Sequence, residues 1–171
     1  MKNLFYYDSP VGKLGIVEDC RKITGVFFKN GEKTPKPVCK SFLSQDFDYD
    51  DGLIVRETEL IKKTAARLEE YFKGKRKQFD IPLSYEGTVF QKSVWRALQK
   101  IPYGSTCSYK EIAAAAGNSK ACRAAGMANN RNPIVIIIPC HRVIGADGSL
   151  IGYGGGLEKK RYLLELEQRY S

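Results

Sequence analysis

The sequence predicts an α+β protein of two domains. Residues 1–85 read as a small antiparallel sheet with one helix, and residues 86–171 as a mainly helical half that carries a helix-turn-helix. Three observations predict this. Short aromatic and β-branched runs, parted by turn residues, fill the first thirty positions. Two Ser/Thr-x-x-Glu/Gln capping boxes open helices after residue 85. The 171 residues suffice for one ordinary domain or two small ones.

In order, residues 4–7, 13–18 and 23–28 read as strands. They are parted by Asp8-Ser9-Pro10-Val11-Gly12 and by Asp19-Cys20-Arg21-Lys22, spacing that suits a meander. Residues 30–52 are polar, with aspartates at 46, 48, 50 and 51. That cluster lacks the glycine and terminal glutamate of a calcium loop, and a solvated loop is expected. A helix over about 57–73 places Leu60, Ile61, Ala65, Leu68, Tyr71 and Phe72 on one face, and Gly74 stops it. Lys75-Arg76-Lys77 reads as a solvated basic turn. Residues 80–83 look extended and lead to a linker near Tyr85-Glu86-Gly87.

Thr88 with Gln91 opens the next helix, which carries Phe90, Val94, Ala97 and Leu98 at helical spacing. Ile101-Pro102-Tyr103-Gly104 ends it. Ser108 with Glu111 opens a short helix through Ala116. After the Gly117-Asn118 turn, Ser119 is expected to cap a third helix, to about Asn129. Asn132-Pro133 breaks that helix, and the β-branched run 134–138 reads as a buried strand ended by Pro139. A last amphipathic helix is expected over about 157–169.

Composition narrows the function classes. The apolar fraction, 43%, is that of soluble globular proteins. No run approaches the 18 or so apolar residues of a membrane span. The start, Met1-Lys2-Asn3, lacks the apolar core of a signal peptide. A cytoplasmic protein is expected. Five cysteines, at 20, 39, 107, 122 and 140, form no C-x-x-C pair and should be free thiols. The net charge of +9 favours a polyanionic partner, nucleic acid ahead of an anionic membrane.

The candidate chemistry is concentrated in Pro139-Cys140-His141-Arg142-Val143. His141 is the sole histidine of the chain, and it directly follows a cysteine. A thiol reacts as thiolate and needs a base, a cation or a helix N-terminus to form it. His141 can take the proton, and a carboxylate such as Glu165 or Glu167 can hold its tautomer. On a strand the two side chains would point apart; after Pro139 a turn or short helix can bring both to one cavity. The alternative is a buried inert cysteine beside a histidine.

Residues 108–129 have the length of a helix-turn-helix, but the second helix is almost bare. Arg123 projects among Ala121, Ala124, Ala125 and Gly126. A major-groove reader carries several polar side chains. A bare helix can instead approach the minor groove closely, with one arginine filling the space of an unstacked base. A tightly packed internal helix pair is the alternative. The glycines at 152 and 154–156 lack the Lys-Ser/Thr of a phosphate loop and suggest a loop whose backbone N–H groups approach a ligand.

Taken together, the strings Phe90-Gln91-x-x-Val94-Trp95, Ile101-Pro102-Tyr103-Gly104, Ser108-Tyr109, Arg123-Ala124-x-Gly126, Asn132-Pro133, Ile138-Pro139-Cys140-His141-Arg142-Val143 and Gly152-Tyr153-x-Gly155-Gly156 resemble the O6-alkylguanine-DNA alkyltransferase family. The resemblance implies a ribonuclease-H-like N-terminal domain (1–85) and a winged-helix-like C-terminal domain (86–171). It implies irreversible, stoichiometric transfer of an alkyl group from the O6 of a flipped guanine in duplex DNA to Cys140, with O4-alkylthymine left open as a second substrate. Cys140 is the implied acceptor, and its proton passes through water to His141, held by Glu167. Tyr109 is implied to hydrogen-bond the departing guanine, and Asn132 to brace the active-site segment. Arg123 takes the place of the flipped base on a DNA-binding helix that includes Ala121, Ala124 and Gly126. Val143, Tyr153, Gly154 and Gly155 are implied to wall the guanine pocket, with Trp95 and Met127 expected beside them. Gly154 stands where family members often carry Ala or Ser.

No cofactor is expected. Some members hold zinc in the N-terminal domain through cysteines and histidines; this chain has no histidine there, so no metal is expected. The chain is too short for the phosphotriester-repair module fused to some bacterial relatives. A monomer is expected, with cooperative binding along DNA left open. The main alternative is a lesion-binding protein of the same fold without transfer activity; in that group the reactive cysteine is replaced, and Cys140 is present. A transcription regulator would leave Cys140-His141 without purpose, and a cysteine hydrolase would leave the bare helix unexplained.

Overall fold

The computed structural model describes residues 1–29 and 53–171. The aspartate cluster at 46–51 and Cys39 lie outside the described residues. The chain divides into two compact units, Met1–Tyr85 and Glu86–Ser171.

The first unit opens with three strands, β1 (Lys2–Tyr7), β2 (Leu14–Asp19) and β3 (Lys22–Phe28), paired antiparallel in sequence order. Cys20 and Arg21 both have positive φ (48° and 60°), the twist that a two-residue hairpin needs to match its strands. A fourth strand, β4 (Leu53–Val55), runs parallel to β1, so the sheet is mixed, in the order β3-β2-β1-β4. Sequence patterning missed it because three half-exposed residues have no period to read. Helix α1 (Glu59–Phe72) starts at Thr58, whose hydroxyl accepts from the Ile61 N–H. Its buried stripe is Ile61, Thr64, Leu68 and Tyr71, packed on the sheet against Leu14, Ile16, Ile23 and Val26. The basic turn after it is not wholly solvated. Arg76 Nε donates to Glu70 at 2.5 Å, and its guanidinium reaches the Gln78 carbonyl at 3.0 Å.

In the second unit both expected capping boxes are formed. Thr88 and Gln91 exchange hydrogen bonds at the head of α2 (Val89–Leu98). Two-residue strand β5 (Cys107–Ser108) leads into α3 (Tyr109–Ala115), where Ser108 and Glu111 do the same. Helix α4 (Cys122–Asn130) follows. Ser119 does not cap it: the boundary residue is Ala121, with no side-chain cap bond. Asn118 organises the connection instead, its side chain accepting from the Lys120 N–H and its carbonyl from the Ala121 N–H. The turn therefore spans residues 116–121 and is longer than a two-residue Gly-Asn turn.

Residues 134–138 are buried as expected, except the half-buried Val135, but are not a strand. They coil around Asn132: its Nδ2 donates to the Ile138 carbonyl at 2.7 Å, and its Oδ1 accepts from the Ile134 N–H at 3.0 Å. The Ile138 N–H closes onto the Ile134 carbonyl, and Ile136 sits at φ 71°, rare for a β-branched residue. Local side-chain bonding has outcompeted the ladder that β-branching favours. A single 3₁₀ turn, Cys140–Arg142, comes next, then β6 (Val143–Ile144), parallel to β5. Helix α5 (Leu157–Tyr170) ends the chain, burying Lys160, Leu163, Leu166 and Glu167. Among the described residues no helix is long and apolar enough to cross a membrane.

Candidate active site

Cys140, His141 and Arg142 share the 3₁₀ turn and are all buried. The turn gives adjacent residues the common surroundings that a strand would deny them. Two asparagines hold it. Asn132 hydrogen-bonds the Cys140 sulfur as well as bracing residues 134–138, and Asn129 Nδ2, from α4, donates to the Cys140 carbonyl at 3.3 Å.

Behind the turn, α5 presents Glu167, fully buried, while Glu165 points to solvent. His141 Nε2 lies 2.6 Å from Glu167 Oε1. Arg142 reaches the same carboxylate with Nε at 2.8 Å and Nη2 at 3.0 Å, and the Gly104 N–H donates to it at 3.1 Å. Burial alone would raise the Glu167 pKa; the hydrogen bonds and charges of His141 and Arg142 outweigh it and hold the carboxyl at about 2. An ionised carboxylate only accepts hydrogen bonds. Nε2 of His141 therefore carries the hydrogen, and in the neutral ring the basic lone pair is on Nδ1. Burial lowers the His141 pKa, opposed by Glu167. The imidazole is thus neutral at pH 7 and able to accept a proton.

The thiol is a resting acid. Burial pushes Cys140 up to about 11, against the pull of Asn132, the Lys160 cation, a backbone hydrogen bond and the Tyr153 hydroxyl. The Tyr153 pKa is itself raised well above 10 by burial and by Cys140. Lys160, which sequence reasoning passed over, is fully buried. Its Nζ donates to the Ile151 carbonyl at 2.9 Å and lies 5.8 and 5.9 Å from the rings of Tyr109 and Tyr153. Burial lowers its pKa to about 8, opposed by Cys140. The missed signal was a charge inside an apolar stripe: Lys160, Leu163 and Glu167 recur at i, i+3 and i+7 on α5. Arg142, inside the hallmark string but without an assigned role, is the structural counter-ion.

Tyr109, at the start of α3, donates its hydroxyl to the Ile151 carbonyl at 2.8 Å. Burial raises its pKa, with Cys140 and Cys122 adding to the effect. Its ring lies beside Gly126, where an added Cβ would sit 3.6 Å away, an ordinary contact. Gly152 is at φ 60°, and a Cβ on Gly154 would rest 3.6 Å from the Asn130 carbonyl. An alanine at 154 would fit, so the glycine there is not forced by space. Gly155 is half-buried, and Val143 is wholly buried in β6, next in chain to the turn.

Helix α4 exposes Arg123 and Ala124, with Ala121 and Gly126 half-buried. Two residues expected at the pocket stand elsewhere. Trp95 is a core residue: its indole N–H donates to the Ala128 carbonyl at 2.9 Å and pins α4 from behind. Met127 is 53% exposed on the outer side of α4. Among the described residues no group of three or more His, Cys, Asp or Glu side chains could hold a metal ion.

Residues 5–85 match the family model of the 6-O-methylguanine DNA methyltransferase ribonuclease-like domain, and residues 89–169 that of its DNA binding domain. The methylated-DNA–protein-cysteine methyltransferase of Methanosarcina acetivorans is 47% identical over 161 residues, covering 94% of this chain and 95% of that one. The constitutive methylated-DNA–protein-cysteine methyltransferase of Bacillus subtilis is 42% identical over 167 residues, 94% and 92% of the two chains. The crystal structure of the Mycobacterium tuberculosis OGT in complex with DNA superposes with a TM-score of 0.83 at 40% identity, covering 99% of this chain and 94% of that one.

Proposed function

The chain belongs to the 6-O-methylguanine DNA methyltransferase family, and from that premise we propose that Cys140 is the acceptor in a single-use repair of O6-alkylguanine in duplex DNA. The protein is a methylated-DNA–protein-cysteine S-methyltransferase: it repairs alkylated DNA by moving the alkyl group to one of its own cysteines. The observation that carries the assignment to Cys140 is the buried 2.6 Å contact between Glu167 and His141, the residue next in chain to Cys140.

The sulfur attacks the alkyl carbon of a guanine turned out of the stack. An S–C bond forms, the C–O6 bond breaks, and the thiol proton leaves through water to His141 Nδ1. Glu167 stabilises the imidazolium, and Lys160 and Tyr153 stabilise negative charge on sulfur as it develops. The departing guanine takes up a proton to become an ordinary base. The proton shed by the thiol, returned from His141 through water, balances this uptake, and Tyr109 hydrogen-bonds the base as it leaves. Its hydroxyl must then exchange the Ile151 carbonyl for the base. The loop over 152–155 and Val143 wall the pocket. Arg123 fills the gap left in the duplex, and Ala121, Ala124 and Gly126 keep α4 slim enough to approach the minor groove. A thioether is a very poor leaving group and nothing in the site reverses the transfer, so each chain acts once.

The transfer chemistry belongs to residues 86–171, with residues 1–85 as a separate domain. The same reading makes the protein a monomer that works in the cytoplasm. Incubation with duplex DNA containing O6-methylguanine is expected to add one methyl per chain, on the peptide that contains Cys140. A methyl on the Cys122 peptide, or none after complete exposure, would overturn the assignment.

A further inference from the structure

Helix α4 carries one large apolar side chain that the reaction above does not use. At about 100° per residue, the buried positions Ala125, Ala128 and Asn129 define its inner side. Arg123, Met127 and Asn130 stand on the opposite crest, all exposed. Around them the surface is small or cationic: Ala124 is bare, and Lys120 and Arg131 are exposed at the two ends. A crest meant only for solvent has no need of a methionine, and a crest meant for protein packing would not carry one cation and be flanked by two more. Met127 is half-exposed and one helical turn from Arg123. It is also unbranched and deformable, suited to a gap of irregular shape.

We propose that Met127 is a second wedge, which enters the minor groove beside Arg123 and presses on the base stack next to the vacated position. This rests on the reading of α4 as the DNA-binding helix. The cations at 120 and 131 hold the phosphates and bring the crest to the groove floor, where an apolar side chain meets base edges and stacking faces. Apolar wedges in the minor groove unstack a step and bend the duplex toward the major groove. Arg123 substitutes for the missing base, while Met127 holds the adjoining step open and keeps the flipped base from returning. Met127 is therefore a positioning residue, since it acts on the duplex and not on the reacting atoms.

The test compares wild type, Met127→Ala, Met127→Leu and Arg123→Ala on a lesion duplex labelled at both ends for energy transfer. Affinity is read as a function of salt, and alkyl uptake from the isolated O6-methylguanine base is read separately. Met127→Ala is expected to bind about tenfold more weakly, with a smaller bend and an unchanged salt slope, because no phosphate contact is lost. Met127→Leu should keep both affinity and bend, and uptake from the isolated base should be unchanged in the two Met127 variants. If Met127→Ala binds and bends like wild type while Arg123→Ala weakens binding, the wedge is wrong and the DNA-binding helix stands. If Arg123→Ala is also without effect, both readings fail. Equal losses in the Leu and Ala variants, or slower uptake from the isolated base by Met127→Ala, would likewise overturn the wedge.

Discussion

Replacing Glu167 with glutamine tests whether the buried carboxylate holds the site together by its charge. Glutamine keeps the volume and removes the charge from a side chain that meets His141, both nitrogens of an Arg142 fork and the Gly104 N–H. Two routes give the magnitude. The carboxyl sits at about 2 against an ordinary 4.5; at roughly 1.4 kcal/mol per unit that is about 3–4 kcal/mol of stability. Breaking one side of a buried ion pair costs roughly 3–5 kcal/mol, because the other charge is left alone. The routes agree on about 3–4 kcal/mol, a large share of the total for a domain of this size. Trp95 is the sole tryptophan of the chain and is buried in the second unit. Its fluorescence in urea therefore reads that unit.

The pH dependence follows from the sign. A depressed carboxyl stabilises fully above 4.5 and loses its contribution as pH falls toward 2. The gap between wild type and Glu167→Gln should be steady from pH 7 to about 5 and shrink below 4.5. The buried neutral His141 acts in the same direction: its folded pKa lies below 6.5, so wild type should already weaken as pH falls through 6. A gap under about 0.5 kcal/mol at pH 7 would refute the reasoning, as would a gap that does not change between pH 7 and 3.

Two further variants probe the sulfur. Lys160→Met should slow alkyl transfer about tenfold at pH 7, one pKa unit on the thiol. The difference should close above about 8, where the wild-type lysine loses its charge; a deficit constant from pH 6 to 10 would point to a packing role instead. Tyr153→Phe removes the hydroxyl that favours the Cys140 thiolate and should slow transfer about tenfold, measured by quench-flow with duplex in excess. An unchanged rate would remove Tyr153 from the proton network.

What could be read from the sequence was whatever rests on local chemistry. Thr88 with Gln91 and Ser108 with Glu111 are side chains that bond within one turn, and both boxes are formed. The Cys140-His141 turn after Pro139 was legible for the same reason. Misreadings came where a distant or competing bond decides. Five β-branched residues resemble a strand until Asn132 bonds both ends of the run, and Ser119 resembles a cap until Asn118 takes the turn. Burial of Trp95 and exposure of Met127 depend on the rotation of α2 and α4 about their axes, which apolar content alone does not fix. Lys160 escaped because the search for a partner to His141 considered carboxylates and not cations.

The two bonds that hold α4 from behind have a mechanical meaning. Trp95 grips the carbonyl of Ala128, and the next residue, Asn129, grips the carbonyl of Cys140. The exposed crest of α4 and the Cys140 turn are thereby tied to each other when the chain folds. Under the proposed function the molecule works as a depth gauge. A base that has swung only part of its arc stops short of the sulfur, and one that has swung fully arrives with no adjustment asked of α4. The burden of discrimination then falls on the duplex, through how readily each pair lets a base go.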